Sequence, residues 1–156
     1  MSSYVAKDGA EVSLRRMGPD DVMVLFEWQC HPNVRRFARN PQPPELEGHK
    51  KWFAARLASP DCILGMILHG AQPAGMLRFD RKPDDAWEVS ILIAPDKVRL
   101  GIGAAALALG RELVPSVELV AEILPGNEAS HRLFRNAGYV RGPDGLYHLA
   151  SVIASR

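Results

Sequence analysis

The segment VRLGIGAAAL, residues Val98–Leu107, decides which fold this chain is expected to adopt. It connects a strand-like run, WEVSILIAP (Trp87–Pro95), to an alanine-rich run with helical character. The first amide groups of a helix have no partner inside it, and together with the helix dipole they attract anions. Gly101 and Gly103 would allow a phosphate to approach this backbone, and Arg99 would add a charged contact. The alternative is a tight turn whose glycines serve close packing alone.

Neither of the two common nucleotide-binding motifs fits this turn. A Walker loop ends in Gly-Lys-Ser/Thr, whereas this segment continues with Gly-Ala-Ala. A dinucleotide fingerprint requires a third glycine three residues after the second, and Ala106 stands at that position. The turn therefore predicts either a phosphate site of another kind or a packing turn.

Hydrophobic patterns on both sides of the turn predict the remaining elements. A strand is expected at Ala10–Met17, two helices follow, and three strands then lead up to the turn. After the turn come a helix, a strand, a helix and two strands, the last at Gly145–Ala154. Three consecutive strands favour an antiparallel meander, whereas the strand–helix–strand unit of Trp87–Ile123 favours a parallel crossover. The expected fold class is α/β (α+β), with a mixed, mostly antiparallel sheet of about seven strands flanked by helices.

Composition and charge limit the classes of function. The 156 residues are expected to form a single domain, residues 1–156, and 47% of them are hydrophobic. With 19 basic and 18 acidic side chains the formal net charge is +1, which predicts neither nucleic acid nor a membrane as a partner. No apolar run approaches the ~20 residues that span a bilayer. Cys30 and Cys62 lack a C-x-x-C spacing, so we expect two buried thiols in a cytoplasmic protein.

Two motif blocks at compatible spacing resemble the GNAT superfamily of acetyl-CoA-dependent N-acetyltransferases. The family's cofactor motif, Q/R-x-x-G-x-G/A after a strand, corresponds to VRLGIG at Val98–Gly103. The second block, VAEILPGNEASHRLFRNAGYV, has the family's strand, asparagine, helix and final glycine–aromatic pair. The resemblance is strong from Trp87 to Val140 and keeps the order of elements over the first half. It implies a GNAT-like sheet and the transfer of an acetyl group from acetyl-CoA to an amine.

The resemblance also implies where the cofactor acetyl-CoA lies. In the family, two central strands splay into a V-shaped opening, and here these would be Trp87–Ala94 and Val117–Leu124. The pantetheine arm would pair with the first strand, the pyrophosphate would lie on the glycine turn, and no metal is implied. The residues implied for cofactor binding are Ile91, Leu92, Ile93, Arg99, Leu100, Gly101, Ile102, Gly103, Ala104, Asn127 and Phe134.

Two positions depart from the family pattern. Val98 stands where the motif usually has Gln or Arg, and either the adjacent Arg99 or the backbone donors would compensate. Phe134 stands where many members carry a tyrosine that protonates the leaving CoA thiolate. Because phenylalanine has no proton to give, the expectation is that water or another group protonates the thiolate, or that the chain is a poor catalyst.

Two glutamates are candidates for the base that takes a proton from the attacking amine. Glu88 lies on the strand before the glycine turn and Glu122 on the strand after it, and the resemblance matches both to base positions of family members. Burying a carboxylate in a sheet is costly unless it is paired or solvated. The alternative is that each glutamate faces solvent or pairs with an arginine. His131 is expected at an exposed position of the following helix.

The first two helices and their loop shape the acceptor pocket in this family. The residues implied there are Trp28, Asn33, Arg36, His49 and Trp52. An aromatic ring with a few polar groups suits a sugar or a small amine, although tryptophans on these helices fill the core by default.

The first half of the chain also bears on the acceptor. Its runs EWQCHPNVRRFARN and HKKWFAARL resemble the branch that acetylates nucleotide-linked aminosugars in bacterial flagellin glycosylation and polysaccharide synthesis. The alternatives are a protein N-terminal or ribosomal-protein acetyltransferase and a non-catalytic CoA-binding module. The expected partner is therefore a small-molecule amine, and since the family often dimerises, a homodimer is one expected state.

Overall fold

One sheet of eight strands organises residues 4–152, which are the residues that this computed structural model describes. Its strands are β1 (Tyr4–Val5), β2 (Glu11–Arg16), β3 (Cys62–His69), β4 (Gln72–Arg81), β5 (Trp87–Ile93), β6 (Leu119–Ala121), β7 (Val140–Arg141) and β8 (Tyr147–Leu149). Its helices are α1 (Val22–Cys30), α2 (Pro32–Arg35), α3 (Leu46–Ala58), α4 (Ile102–Leu113) and α5 (Glu128–Asn136).

The strand order is β1–β2–β3–β4–β5–β6–β8–β7, and every neighbouring pair is antiparallel except β5 and β6. Strands β5 and β6 run parallel because α4 carries the chain back across the sheet between them. The predicted fold class, with its meander and its crossover, is thereby confirmed. The sheet has one strand more than predicted, since the two residues of β1 are too few to show an alternating pattern.

The two faces of the sheet bury separate cores. Val89 of β5 packs in the core beneath α4 and α5. Leu92 packs on the other face, where Leu25 of α1 and Phe53 of α3 form the second core. Because side chains alternate along a strand, Glu88 shares the face of Leu92 and looks toward the first three helices.

Strands β5 and β6 separate soon after they meet. Their only register pairs are Trp87 with Leu119 and Glu88 with Val120, so the rest of β5 has no β6 partner. Strand β6 ends one residue after this contact, earlier than the predicted end at residue 124, because its pairing with β8 also stops there. The result is a gap between two central strands that begins just beyond Glu88.

Asp21 fastens the start of α1 to β2. Its carboxylate accepts hydrogen bonds from Arg15 Nη1 and Nη2 at 2.8 and 2.9 Å, and from the Gly18 N–H at 2.8 Å. The hydrogen bonds from Arg15 lower the pKa of Asp21 against the opposing effect of burial. This contact fixes where the helices of the first half leave the sheet.

The C-terminal hairpin and the helices complete the fold. Strand β8 is shorter than predicted, and positions 153 and 154 of that prediction lie outside the described residues.

Cys62 is buried as expected, whereas Cys30 is only half-buried, and both are free thiols. None of the helices within residues 4–152 is long and apolar enough to cross a bilayer.

Candidate active site

The turn between β5 and α4 presents a row of backbone amides. Arg99 and Gly101 have positive φ angles of 63° and 75°, and this alternation groups successive N–H donors into a concavity that suits an anion. Within residues 4–152, the N–H groups of residues 99–104 donate to no protein acceptor. The first helical bond of α4 runs from the Ala105 N–H to the Gly101 carbonyl at 3.4 Å. Six consecutive donors are thus available to a ligand.

The two glycines of this turn are there for different reasons. Gly101 takes the left-handed backbone conformation that other residues adopt only with strain. A Cβ on Gly103 would lie 3.1 Å from Leu133 Cδ2, so its missing side chain lets α4 approach α5. Packing, the alternative raised from the sequence, therefore explains Gly103. The backbone N–H groups of residues 99–104 remain unpaired whether the glycines serve packing or ligand binding.

Backbone groups of β5 line the gap between the central strands. Ile91, Leu92 and Ile93 pair with β4 on one side and have no register partner in β6 on the other. An extended ligand in the gap can pair with this free edge as an added strand would. At the far side, Asn127 caps α5, and its Oδ1 accepts from the Ser130 N–H at 3.3 Å.

The two candidate bases meet at the mouth of the gap. Glu88 lies on β5, whereas Glu122 directly follows β6 and not, as predicted, within the strand, and one arginine, Arg39, binds both of them. Arg39 Nε donates to Glu122 Oε1 at 2.5 Å, and Arg39 Nη2 donates to Glu88 Oε2 at 3.0 Å. The Glu88 side chain is 13% exposed and that of Glu122 is 40% exposed, so Glu88 is the more desolvated of the two. The structure therefore brings both carboxylates together, each with an arginine partner.

Arg39 is the site residue that sequence reasoning missed. It lies in the proline-rich loop between α2 and α3, and no local pattern marks it. Burial tends to lower the pKa of Arg39, but its hydrogen bonds to Glu122 and Glu88 outweigh this and raise it. The guanidinium therefore stays charged and holds the carboxylates of Glu88 and Glu122 together. Its side chain is 62% exposed, so solvent reaches both ion pairs.

Phe134 packs inside the core, in a contact that the end of α5 requires. Gly138 has φ of 95°, and the N–H groups of Gly138 and Tyr139 bond to the carbonyls of Arg135 and Phe134, both at 3.0 Å. This is the Schellman ending of a helix, which is commonly accompanied by a contact between the side chain four residues before the glycine and the one directly after it. The rings of Phe134 and Tyr139 accordingly meet edge to face with centroids 4.9 Å apart.

His131 is not at the exposed position that the sequence predicted. It is buried, and its Nδ1 lies 2.7 Å from the hydroxyl of the buried Tyr147. The prediction was wrong because the partner that covers His131, Tyr147, belongs to β8. No pattern in the sequence of α5 indicates that contact. A second tyrosine hydroxyl, that of Tyr139, is buried without a partner among the described residues, and burial raises its pKa.

The residues implied for the acceptor pocket divide into two groups. Trp28 is 8% exposed within the second core, and His49 is buried with its Nε2 3.0 Å from the Val22 carbonyl. These two tie the helices together. Asn33 and Arg36 are exposed on and beside α2, and Trp52 is half-buried on α3.

A groove of about 320 Å³ lies between α1, α3 and the loop that carries Arg39. One wall is the Trp52 ring, whose face also holds the Arg78 guanidinium at 5.6 Å. The opposite wall is the loop, which Arg35 shapes by donating to the carbonyls of Asn40 and Gln42 at 2.7 and 3.2 Å. The groove thus combines an aromatic surface with amide groups next to the Arg39 segment. Its lining residues are Gln29, Arg35, Asn40, Gln42, Pro43, Pro44, Glu45, Gly48, His49 and Trp52.

Solved structures similar to this chain include acetyltransferases. The structure of AAC(6')-Ib with ribostamycin and coenzyme A has a TM-score of 0.77 at 20% identity, covering 90% of this chain and 93% of that one. Spermidine N-acetyltransferase from Vibrio cholerae, in complex with CoA and spermine, has a TM-score of 0.78 at 12% identity, with coverages of 90% and 95%. The GNAT domain of S. lividans PAT has a TM-score of 0.73 at 24% identity, with coverages of 95% and 94%. At these identities the similarity concerns the fold.

Comparison of the sequence with known families gives the assignment. No curated protein matches it significantly. The family model described as acetyltransferase (GNAT) domain matches residues 11–140, which is most of the chain. The chain therefore belongs to the GNAT family of acetyltransferases.

Proposed function

We propose that this acetyltransferase moves the acetyl group of acetyl-CoA to a primary amine of a small molecule, and that the acceptor is an aminosugar. The observation that carries the proposal is the gap between β5 and β6, with unpaired amides at one end and two carboxylates at the other. A cofactor bound along this gap would have its phosphates at the first end. Its thioester would then face the second end, where an amine must lose a proton.

The described residues fit coenzyme A. Six free N–H donors at residues 99–104 match the oxygens of a pyrophosphate, and the exposed Arg99 adds a positive charge. The free edge of Ile91–Ile93 matches the amide groups of a pantetheine arm. Val98 in place of the usual Gln or Arg would lower the affinity for CoA only slightly, because the proposed contacts to the pyrophosphate come from the backbone.

The chain's own residues would then perform the proton transfer from the amine. Bound acetyl-CoA supplies the acetyl thioester that a neutral amine attacks. Glu88, the more buried carboxylate, accepts the proton of the incoming ammonium, directly or through a water. Glu122 and Arg39 position it, and Arg39 has to shift before an amine can reach Glu88.

Protonation of the leaving sulfur is assigned to water. Phe134 has no donor, and its ring is 1% exposed in the core. The hydroxyl of Tyr147 is buried and engaged with His131. On this proposal, water that enters the gap between β5 and β6 would supply the proton without a dedicated side chain.

The groove beside Trp52 supports a sugar acceptor. Aromatic faces stack against sugar rings, and amides such as those of Gln29, Asn40 and Gln42 suit hydroxyl groups. Two of the similar proteins bind ribostamycin and spermine, respectively, in their solved structures. Both ligands are small molecules with primary amines, which agrees with the class proposed here.

Two assays test the proposal in sequence. Calorimetry with CoA and acetyl-CoA measures binding to the purified chain. A thiol-release assay then compares glucosamine, a nucleotide-linked aminosugar, spermidine and a peptide with a free N-terminus. Faster thiol release with the sugars supports the proposal, and faster release with the peptide alone supports a protein acetyltransferase. Binding without acceleration by any amine indicates a non-catalytic CoA-binding module, and absence of binding overturns the proposal.

Location and assembly are further proposals. Two free thiols without a disulfide suit the reducing cytoplasm, where acetyl-CoA is available. A homodimer is proposed because members of the family often dimerise. Light scattering coupled to gel filtration measures it directly, and a monomer at micromolar concentration overturns it.

A further inference from the structure

The turn between β1 and β2 is fastened to the amide-rich turn before α4. The Lys7 N–H donates to the Leu100 carbonyl at 2.8 Å. The Lys7 side chain then runs across the glycine of the turn, because a Cβ on Gly101 would lie 3.4 Å from Lys7 Cγ and 3.7 Å from its Cε. The stem therefore lies against the turn up to its Cε, the atom that carries the ammonium group.

This ammonium has no counter-ion within the part of the chain that the structure describes. The adjacent Asp8 binds His69 instead, with its Oδ2 2.8 Å from His69 Nε2. Lys97, the neighbouring lysine, is occupied by His69 and Gln72. An unpaired cation above six unpaired amide donors creates a positive potential that only a bound anion would neutralise.

We propose that Lys7 is a binding residue for the pyrophosphate of CoA, acting together with the backbone of residues 99–104. The inference rests on the proposed function, since it takes CoA as the ligand. Lys7 precedes the matched residues 11–140, so the family match does not supply this contact. Its position over Gly101, the central residue of the turn, assigns it to the pyrophosphate and not to the 3′-phosphate of the cofactor.

Calorimetry on three variants tests the assignment. Lys7→Met keeps the length of the stem and removes the charge, and Lys7→Arg keeps the charge. Lys82→Met is the matched control, because Lys82 is an exposed lysine of the β4–β5 turn, at the other end of β5. We expect Lys7→Met to weaken CoA binding about fivefold to twentyfold, as for one exposed charge-assisted contact, with a smaller dependence of affinity on salt. Lys7→Arg and Lys82→Met should bind within about twofold of the wild type.

Each other result has a definite meaning. The same loss with 3′-dephospho-CoA supports the pyrophosphate assignment, whereas a loss seen only with CoA itself overturns it. Equal affinities of Lys7→Met and Lys82→Met overturn the role of Lys7 altogether. If Lys7→Arg is as weak as Lys7→Met, the effect is structural and the inference fails. If the wild-type chain binds no CoA, it is the proposed function that fails first.

Discussion

Replacing Glu88 by Gln separates catalysis from folding in this chain. The substitution keeps the shape of the side chain and one oxygen that can accept from Arg39, but it removes the group that takes up a proton. Loss of a general base lowers turnover by about 10²- to 10⁴-fold. We expect a loss in that range for Glu88→Gln at neutral pH.

The effect on stability should be far smaller. Arg39 is 62% exposed, so its ion pair with Glu88 is screened and contributes about 0.2–1 kcal/mol. For a chain of this size that free energy shifts the melting temperature by about 2–4 °C at most. The variant therefore stays folded at assay temperature, and a large drop in turnover cannot be attributed to unfolding.

Glu122→Gln is the matched control. It makes the same chemical change at the other end of the Arg39 contact, on a side chain that is 40% exposed. Thiol release with the best amine acceptor, CoA affinity and melting temperature are measured for both variants. The base assignment is refuted if Glu88→Gln keeps more than a third of the wild-type turnover, and it passes to Glu122 if the control loses more.

Three further predictions concern other side chains of the fold. Burial, with a smaller effect of nearby Asp80, raises the pKa of the Cys62 thiol to about 11. Iodoacetamide at pH 8 should therefore alkylate the half-buried Cys30 well before Cys62. Equal alkylation rates of the two cysteines, measured by peptide mass spectrometry, would contradict this prediction. Asp21→Asn should cost about 1–2 kcal/mol in urea unfolding at pH 7. Because the pKa of Asp21 is lowered in the folded state, this difference should persist down to about pH 4 and vanish as the pH falls through the folded pKa. Phe134→Tyr should lower stability by about 1–3 kcal/mol without raising turnover, since the ring is buried, and a higher turnover would show that the hydroxyl reaches the leaving sulfur.

The parts of the molecule that the sequence predicted are those encoded by neighbouring residues. The strand, turn and helix around Gly101 follow from β-branched residues, glycines and alanines within one short segment. The end of α5 follows in the same way from Gly138, which ends the helix with a φ of 95°. Such features depend on local backbone preferences, which need no knowledge of the rest of the fold.

The parts that the sequence did not predict arise between distant residues. Arg39 lies 49 positions from Glu88 and 83 from Glu122, so no spacing rule connects the three. His131 was expected to be exposed because its partner, Tyr147, comes from another strand. Pairing between side chains of different elements is decided by the fold as a whole, and polar sites are built largely from such pairings.

The Arg39 contact also bears on the kind of amine that the site accepts. The carboxylates of Glu88 and Glu122 repel each other, and the guanidinium between them compensates part of that charge. An amine that arrives as an ammonium ion brings the same charge as the group it displaces, so the electrostatic balance of the site is kept. A neutral acceptor would have to expel Arg39 without replacing its charge and would leave both carboxylates unpaired. On the proposed function, the arginine therefore favours basic primary amines over neutral nucleophiles before any contact with the rest of the acceptor is made.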